Sequence, residues 1–415
     1  MSDMSVGVPD GLNSKVTDTL STASETGLPV DPAEPAAVLT RQTPRHLPYL
    51  DGLRGLASLY VLLGHMYIFV NFAWLPHVSS HALVVALRVF NVGQTGVDVF
   101  IVLSGYCLMI PVVTSLDHNL RGGMKRYILR RAKRILPAYY FAIVFSLLLS
   151  LAAAMATHDF AEWKAQTLPE FSPGSLITHI LLIHNLFSSY IHTIDAPMWS
   201  VATEWQLYFL FPLVLLPVWK RMGGLASIAV GFGMALLIHI VFNKALDQMC
   251  PWYIGLFAFG MVGAGVNFSE SSAMEKVRTQ IPWGLICGIS WFGILGYCST
   301  HQGWYLAHHW IADTIIGFAA MTLLISLSNQ ILHQRQNGLC RLLESRWAVT
   351  LGAFSYSTYL IHYPLLTALY TLLSHMALPS SIQFVVQLGV LLPLTLGICY
   401  LYYSVCERPF MAKHS

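Results

Sequence analysis

Residues 49–66 read YLDGLRGLASLYVLLGHM, an apolar stretch that carries one arginine and one histidine, Arg54 and His65. The two are eleven positions apart, which in an α-helix is three turns and about 20°, so a helix places them on one face about 16 Å apart along its axis. His65 falls near the middle of a membrane-spanning run, and Arg54 lies near the end of that run where the chain enters it. Ionisable groups at membrane depth are costly and by default mark functional sites. The stripe therefore raises two questions, whether the chain is a membrane protein and what a fixed cation and an imidazole do on one face of it.

Composition answers the first. Of 415 residues 55% are hydrophobic and only 10% charged, against about 25% charged in a typical soluble domain, and the mean hydropathy is +0.58. Long apolar runs throughout make this an all-α, polytopic membrane protein seated in the lipid bilayer. A net charge of +3 gives no reason to expect nucleic acid as a partner. The seven cysteines are scattered, without CxxC spacing, so neither a disulfide framework nor a zinc site is indicated. Residues 1–45 are rich in Ser, Thr, Pro, Asp and Glu and lack apolar periodicity, which predicts a disordered cytosolic tail. They show no basic segment followed by an apolar core and so do not read as a cleaved signal peptide.

Apolar runs long enough to cross a bilayer fall at 54–72, 92–113, 135–157, 199–219, 223–242, 251–268, 281–299, 309–329, 348–374 and 380–405. A further run, 174–187, is about half the needed length and reads as interfacial or re-entrant. With ten spans and a cytosolic N-terminus, 20 of the 23 Lys and Arg residues lie on the cytosolic side. Making 174–187 an eleventh span splits the same residues 12 to 11. The positive-inside rule selects about ten helices with both termini cytosolic. A membrane domain over 46–410 and a short cytosolic tail over 411–415 follow.

Each polar group in these spans has a plain reading beside a functional one. His65 could bond a neighbouring helix, and Arg54 could snorkel to the headgroups. The segment RGGMKRYILRRAKRILP (121–137) is the densest basic cluster; it is a topology determinant, a contact for anionic lipid, or a phosphate site, for which arginine forks are suited. Asp98 in GVDVFIVLSGY (96–106) reads as a structural hydrogen-bonding group rather than a proton donor. APMWSVATEWQLYFLFP (196–212) sets Ser200, Glu204 and Tyr208 at i, i+4 and i+8 on one helix face, and a carboxylate there needs a partner or a wet cavity. Tyr359 and His362 in FSYSTYLIHYPL (354–365) could both face the interior. Glu407 reads as an interfacial or structural charge and Asp313 as a group near the outer interface. His308 and His309 are adjacent rather than i, i+4, so they do not form a helical metal site, and no metal is expected.

In this order, LDGLRGLASLYVLLGH, GVDVFIVLSGY, RRAKRILP, WSVATEWQLYFLFP, YSTYLIH and ERP together resemble the acyltransferase 3 family of integral-membrane O-acyltransferases. The resemblance runs from about Pro48 to Pro409, and Arg54 and His65 fall in the family's Arg-x10-His signature. It implies transfer of an acyl group, often acetyl from acetyl-CoA, to a hydroxyl of a glycan or other acceptor, as in polysaccharide modification at an inner or plasma membrane. Acyl-CoA is then a donor substrate, with no cofactor bound permanently. On this reading Arg54, Arg131 and Arg134 hold the donor's phosphates at the cytosolic mouth. His65 is the general base, or a nucleophile forming an acyl-imidazole. Glu204 orients the acceptor or helps the proton leave, and Asp98, Ser200, Tyr359 and His362 support the site. Some relatives carry a C-terminal SGNH domain that completes transfer outside. This sequence ends six residues after Pro409, which sets the expectation that transfer finishes in the membrane domain or passes to a separate protein. A proton-coupled transporter or lipid-linked sugar flippase is the competing class, but paired inverted repeats, which would favour it, are not evident.

Overall fold

Apolar runs separated by short polar turns leave the backbone one way to satisfy its hydrogen bonds in lipid, which is helix. The computed structural model describes residues 47–73, 84, 87–157, 172–333, 337–374, 376 and 378–411, and no strand occurs among them. The expected tail over 1–45 and residues 412–415 lie outside the described residues. The main helices are α1 (Pro48–Ala73), α2 (Thr95–Val113), α3 (Gly123–Thr157), α4 (Pro173–Ile180), α5 (Met198–Met222), α6 (Gly224–Val241) and α7 (Tyr253–Phe268). They continue with α8 (Ser272–Gln280), α9 (Trp283–Thr300), α10 (His309–Leu332), α11 (Arg346–Ala353), α12 (Ser355–Ser374) and α13 (Ser381–Phe410). Among the described residues nine helical segments are long and apolar enough to cross a membrane.

The expected span over 348–374 is not one of the nine. It breaks at Phe354 into α11 and α12, and the polar run Ser355, Tyr356, Ser357 and Thr358, with His362 beyond it, lowers the hydropathy of α12. The run 174–187 does not form a spanning helix either. Its α4 has eight residues, about 12 Å of helix against a hydrocarbon core of about 30 Å. Ser172 starts it by accepting from Ser175 N at 3.0 Å, with Pro173 in the first turn. This helix buries Ser175, Thr178 and His179 and exposes Leu176, Ile177, Ile180 and Leu181. Polar in and apolar out is the reverse of a water-facing helix and suits a segment bordered by lipid. It lies against α3, where Tyr139 Oη and Tyr140 Oη donate to the carbonyls of His179 (3.0 Å) and Ile180 (2.9 Å).

Two close crossings position the polar side chains. A Cβ on Gly105 of α2 would meet the Phe257 carbonyl oxygen of α7 at 2.1 Å, and one on Gly260 would meet that of Val102 at 2.0 Å. Small residues of this kind let membrane helices touch backbone to backbone. The same device joins α1 to α11, where a Cβ on Gly352 would stand 2.0 Å from the Asp51 carbonyl oxygen. That contact lies one turn from Arg54 and fixes its height against α11. Glu407, at the end of α13, accepts from Ser357 N (3.2 Å) and Ser357 Oγ (2.5 Å). It thereby binds the first turn of α12, a structural role that anions at helix N-termini commonly take.

Candidate active site

The polar faces of α1, α2, α3, α5 and α12 converge on a cavity of about 440 Å³. One end is strongly cationic, because Arg54, Arg121, Arg130, Arg131 and Arg134 all line it. Arg131 and Arg134 reach it together because i and i+3 share a helix face. Arg134 keeps more than a third of its surface accessible and lines the cavity. Arg54 is aimed by its neighbours: Nη1 donates to Asp51 Oδ1 and Nη2 to Cys107 Sγ, both at 3.1 Å. Five guanidinium groups around one space fit an anion with several oxygens, such as a phosphate chain.

Glu204 enters the same cavity from α5. Ser104 Oγ and Tyr208 Oη both donate to its Oε1, so the i, i+4 relation of Glu204 and Tyr208 becomes a bond. At the far end Tyr359 lines the cavity. Its hydroxyl bonds Ser200 Oγ (2.5 Å) and donates to the Pro197 carbonyl (2.9 Å), and its ring meets that of Phe100 at 6.1 Å.

His65 does not line this cavity. It is partly buried on α1, with its Nδ1 3.0 Å from Nε2 of His362, which lies one turn further along α12 than Tyr359. Its ring centroid is 4.9 Å from that of His362 and 5.1 Å from that of Tyr363. Arg54 and His65 do share a face of α1, but of the two only Arg54 lines the cavity.

Asp98 lies elsewhere. It is fully buried at the other side of α2, next to Tyr253 and Asp313, and does not line the cavity. Asp313 is five residues into α10, near that helix's end as expected; protein buries it fully, and its Oδ2 accepts from Trp252 Nε1 at 2.9 Å. The structure also adds residues that the sequence reading did not single out: Arg121, Arg130, Ser104, Cys107 and Tyr356 line the cavity. Arg130 and Arg134 are i, i+4, so α3 periodicity could have found the former. Cys107 gave no signal beyond being a cysteine in an apolar run.

Fold and site together define a polytopic helical membrane protein with a cationic cavity and, outside its lining, a hydrogen-bonded histidine pair. The chain belongs to the acyltransferase domain family (acyltransferase 3), whose model matches residues 47–404. It is similar to the peptidoglycan O-acetyltransferase OatA of Listeria monocytogenes, with 24% identity over 348 residues, 79% of this chain and 50% of the relative. It is also similar to the O-acetyltransferase OatA of Staphylococcus aureus (strain NCTC 8325 / PS 47), 24% identical over 337 residues, 78% and 51%. The putative peptidoglycan O-acetyltransferase YrhL of Bacillus subtilis matches at 28% over 208 residues, 49% and 29%. The chain thus spans about half the length of the OatA proteins. No solved structure matches it.

Proposed function

We propose that this chain is a membrane O-acyltransferase that moves an acetyl group from acetyl-CoA to a glycan hydroxyl, with peptidoglycan the first acceptor to test. The observation that carries the reading is the cavity of five arginines ending one helical turn short of a histidine pair. The family and the names of the relatives supply the reaction class and the acceptor class. The arginine end faces the cytosol, as the distribution of basic residues favours, and the bacterial sources of the relatives support the plasma membrane as the location.

The donor's phosphates rest on Arg54, Arg131 and Arg134, and the pantetheine arm runs along the cavity past Glu204 toward Tyr359. Rotation of Tyr359 off Ser200 and the Pro197 carbonyl joins the cavity to the histidine pair. His65 takes the proton of the acceptor hydroxyl as its oxygen attacks the thioester carbonyl. The carbon–sulfur bond breaks, the ester forms, and the departing thiolate takes up the proton from His65. Glu204 holds Ser104 and Tyr208 in place on the donor side.

The test is the purified chain in lipid nanodiscs with labelled acetyl-CoA and a peptidoglycan oligosaccharide, with the product read by mass spectrometry. Transfer of label into an alkali-labile ester is expected. Intact acetyl-CoA after prolonged incubation refutes the donor assignment.

A further inference from the structure

The hydrogen bonds around the histidine pair determine where its protons sit. Nδ1 of His362 lies 2.9 Å from the carbonyl oxygens of both Thr358 and Tyr359. Both oxygens can only accept, so this nitrogen carries a proton. A neutral imidazole has one donor and one acceptor nitrogen, which makes His362 Nε2 an acceptor. It faces His65 Nδ1 at 3.0 Å, and the Val61 carbonyl oxygen also stands 3.0 Å from that nitrogen. With two acceptors in reach, His65 Nδ1 is the donor. The proton of His65 is then accounted for, and its Nε2 bears the lone pair. Among the described residues no hydrogen bond engages that atom.

We infer that His362 is a positioning residue, which holds His65 in the Nδ1–H tautomer and so directs the basic Nε2 at the acceptor hydroxyl. The inference rests on the reading of His65 as the base. In hydrolases with a serine–histidine–aspartate triad an aspartate does this work on the far nitrogen of the base. Here the orienting group is neutral, which avoids placing an isolated carboxylate at membrane depth. When His65 gains the acceptor's proton at Nε2, the new charge is shared with Nδ1–H, and His362 Nε2 still accepts from it. His362 is 1% exposed and fixed by two backbone carbonyls, so the acceptor atom is set in advance.

Two measurements test this. In the nanodisc assay His362→Gln, His362→Asn and His362→Ala are compared with His65→Ala. Glutamine carries its amide oxygen about as far out as Nε2, whereas asparagine reaches only about as far as Nδ1. The expected result is that glutamine keeps kcat within about tenfold of wild type, while asparagine and alanine lose on the order of 100-fold, with KM for acetyl-CoA unchanged. Equal losses in all three variants, or wild-type kcat in folded His362→Ala, overturn the inference. If His65→Ala is inactive while His362→Ala is active, only this inference fails; if His65→Ala is active, the base assignment fails as well. The second measurement needs no substrate. Solid-state NMR of the full chain with nitrogen-15 histidine, as the difference between wild type and His65→Gln, reports the tautomer of His65. The Nδ1–H form is expected, and an Nε2–H form overturns the inference whatever the activities.

Discussion

Replacing Arg131 with alanine tests the donor site at the residue where binding and membrane insertion make different predictions. Arg131 lines a cavity with four other arginines, so its loss removes one charge-assisted contact while the rest persist. A hydrogen bond to a charged group contributes about 1.5–3 kcal/mol, and each 1.4 kcal/mol is about tenfold in affinity. KM for acetyl-CoA should therefore rise about 10- to 100-fold, while kcat changes less than about threefold, the signature of binding lost equally from ground and transition states. Lysine should recover part of the loss, since it restores the charge without the planar fork. Added salt should raise the wild-type KM, because part of the attraction is screened, and should raise it less steeply in the alanine variant. Lys133 is the control: it sits two residues away, is exposed and does not line the cavity, so Lys133→Ala should leave KM unchanged. The assay is steady-state acetyl transfer over a range of acetyl-CoA, with a topology reporter on the same variants. An unchanged KM in correctly inserted Arg131→Ala refutes the phosphate-site reading and leaves the arginines as topology signals.

Gly105→Ala puts a Cβ 2.1 Å from a backbone oxygen that has nowhere to retreat. It should cost about 1–3 kcal/mol or more, whereas Gly288→Ala, with open space around it, should stay within about 0.5 kcal/mol; denaturant titration in detergent compares the two, and equal stability contradicts the packing. A spin label at Ile177 should collide with oxygen and be shielded from a water-soluble nickel reagent, because α4 turns its apolar face outward; strong nickel contact would place that face in water.

Much of the site is legible along single helices, where spacing alone decides which side chains meet. The eleven-residue step from Arg54 to His65, the Arg131–Arg134 pair and the Glu204–Tyr208 step all keep their predicted faces, and 174–187 is too short to span. What the sequence hides is contact between distant segments. His65 and His362 are 297 positions apart, and nothing local announces that α12 brings them together. The placing of Tyr359 at the cavity depends on Ser200 and the Pro197 carbonyl of another segment. Asp98 shows the same limit: the sequence of α2 does not say what it meets, and only packing brings it to Asp313 and Tyr253 rather than to the arginines. The break at Phe354 is a different case, since the polar run Ser355 to Thr358 that follows it stands in the sequence between two apolar stretches.

The most direct measurement is single-turnover acetyl transfer by His65→Ala, with acetyl-CoA bound beforehand and the glycan ester read by mass spectrometry. If the arginine cavity holds the donor and His65 serves as base, the variant binds acetyl-CoA as wild type does and transfers at least about 100-fold more slowly. Transfer at the wild-type rate by the folded variant would contradict the mechanism outright.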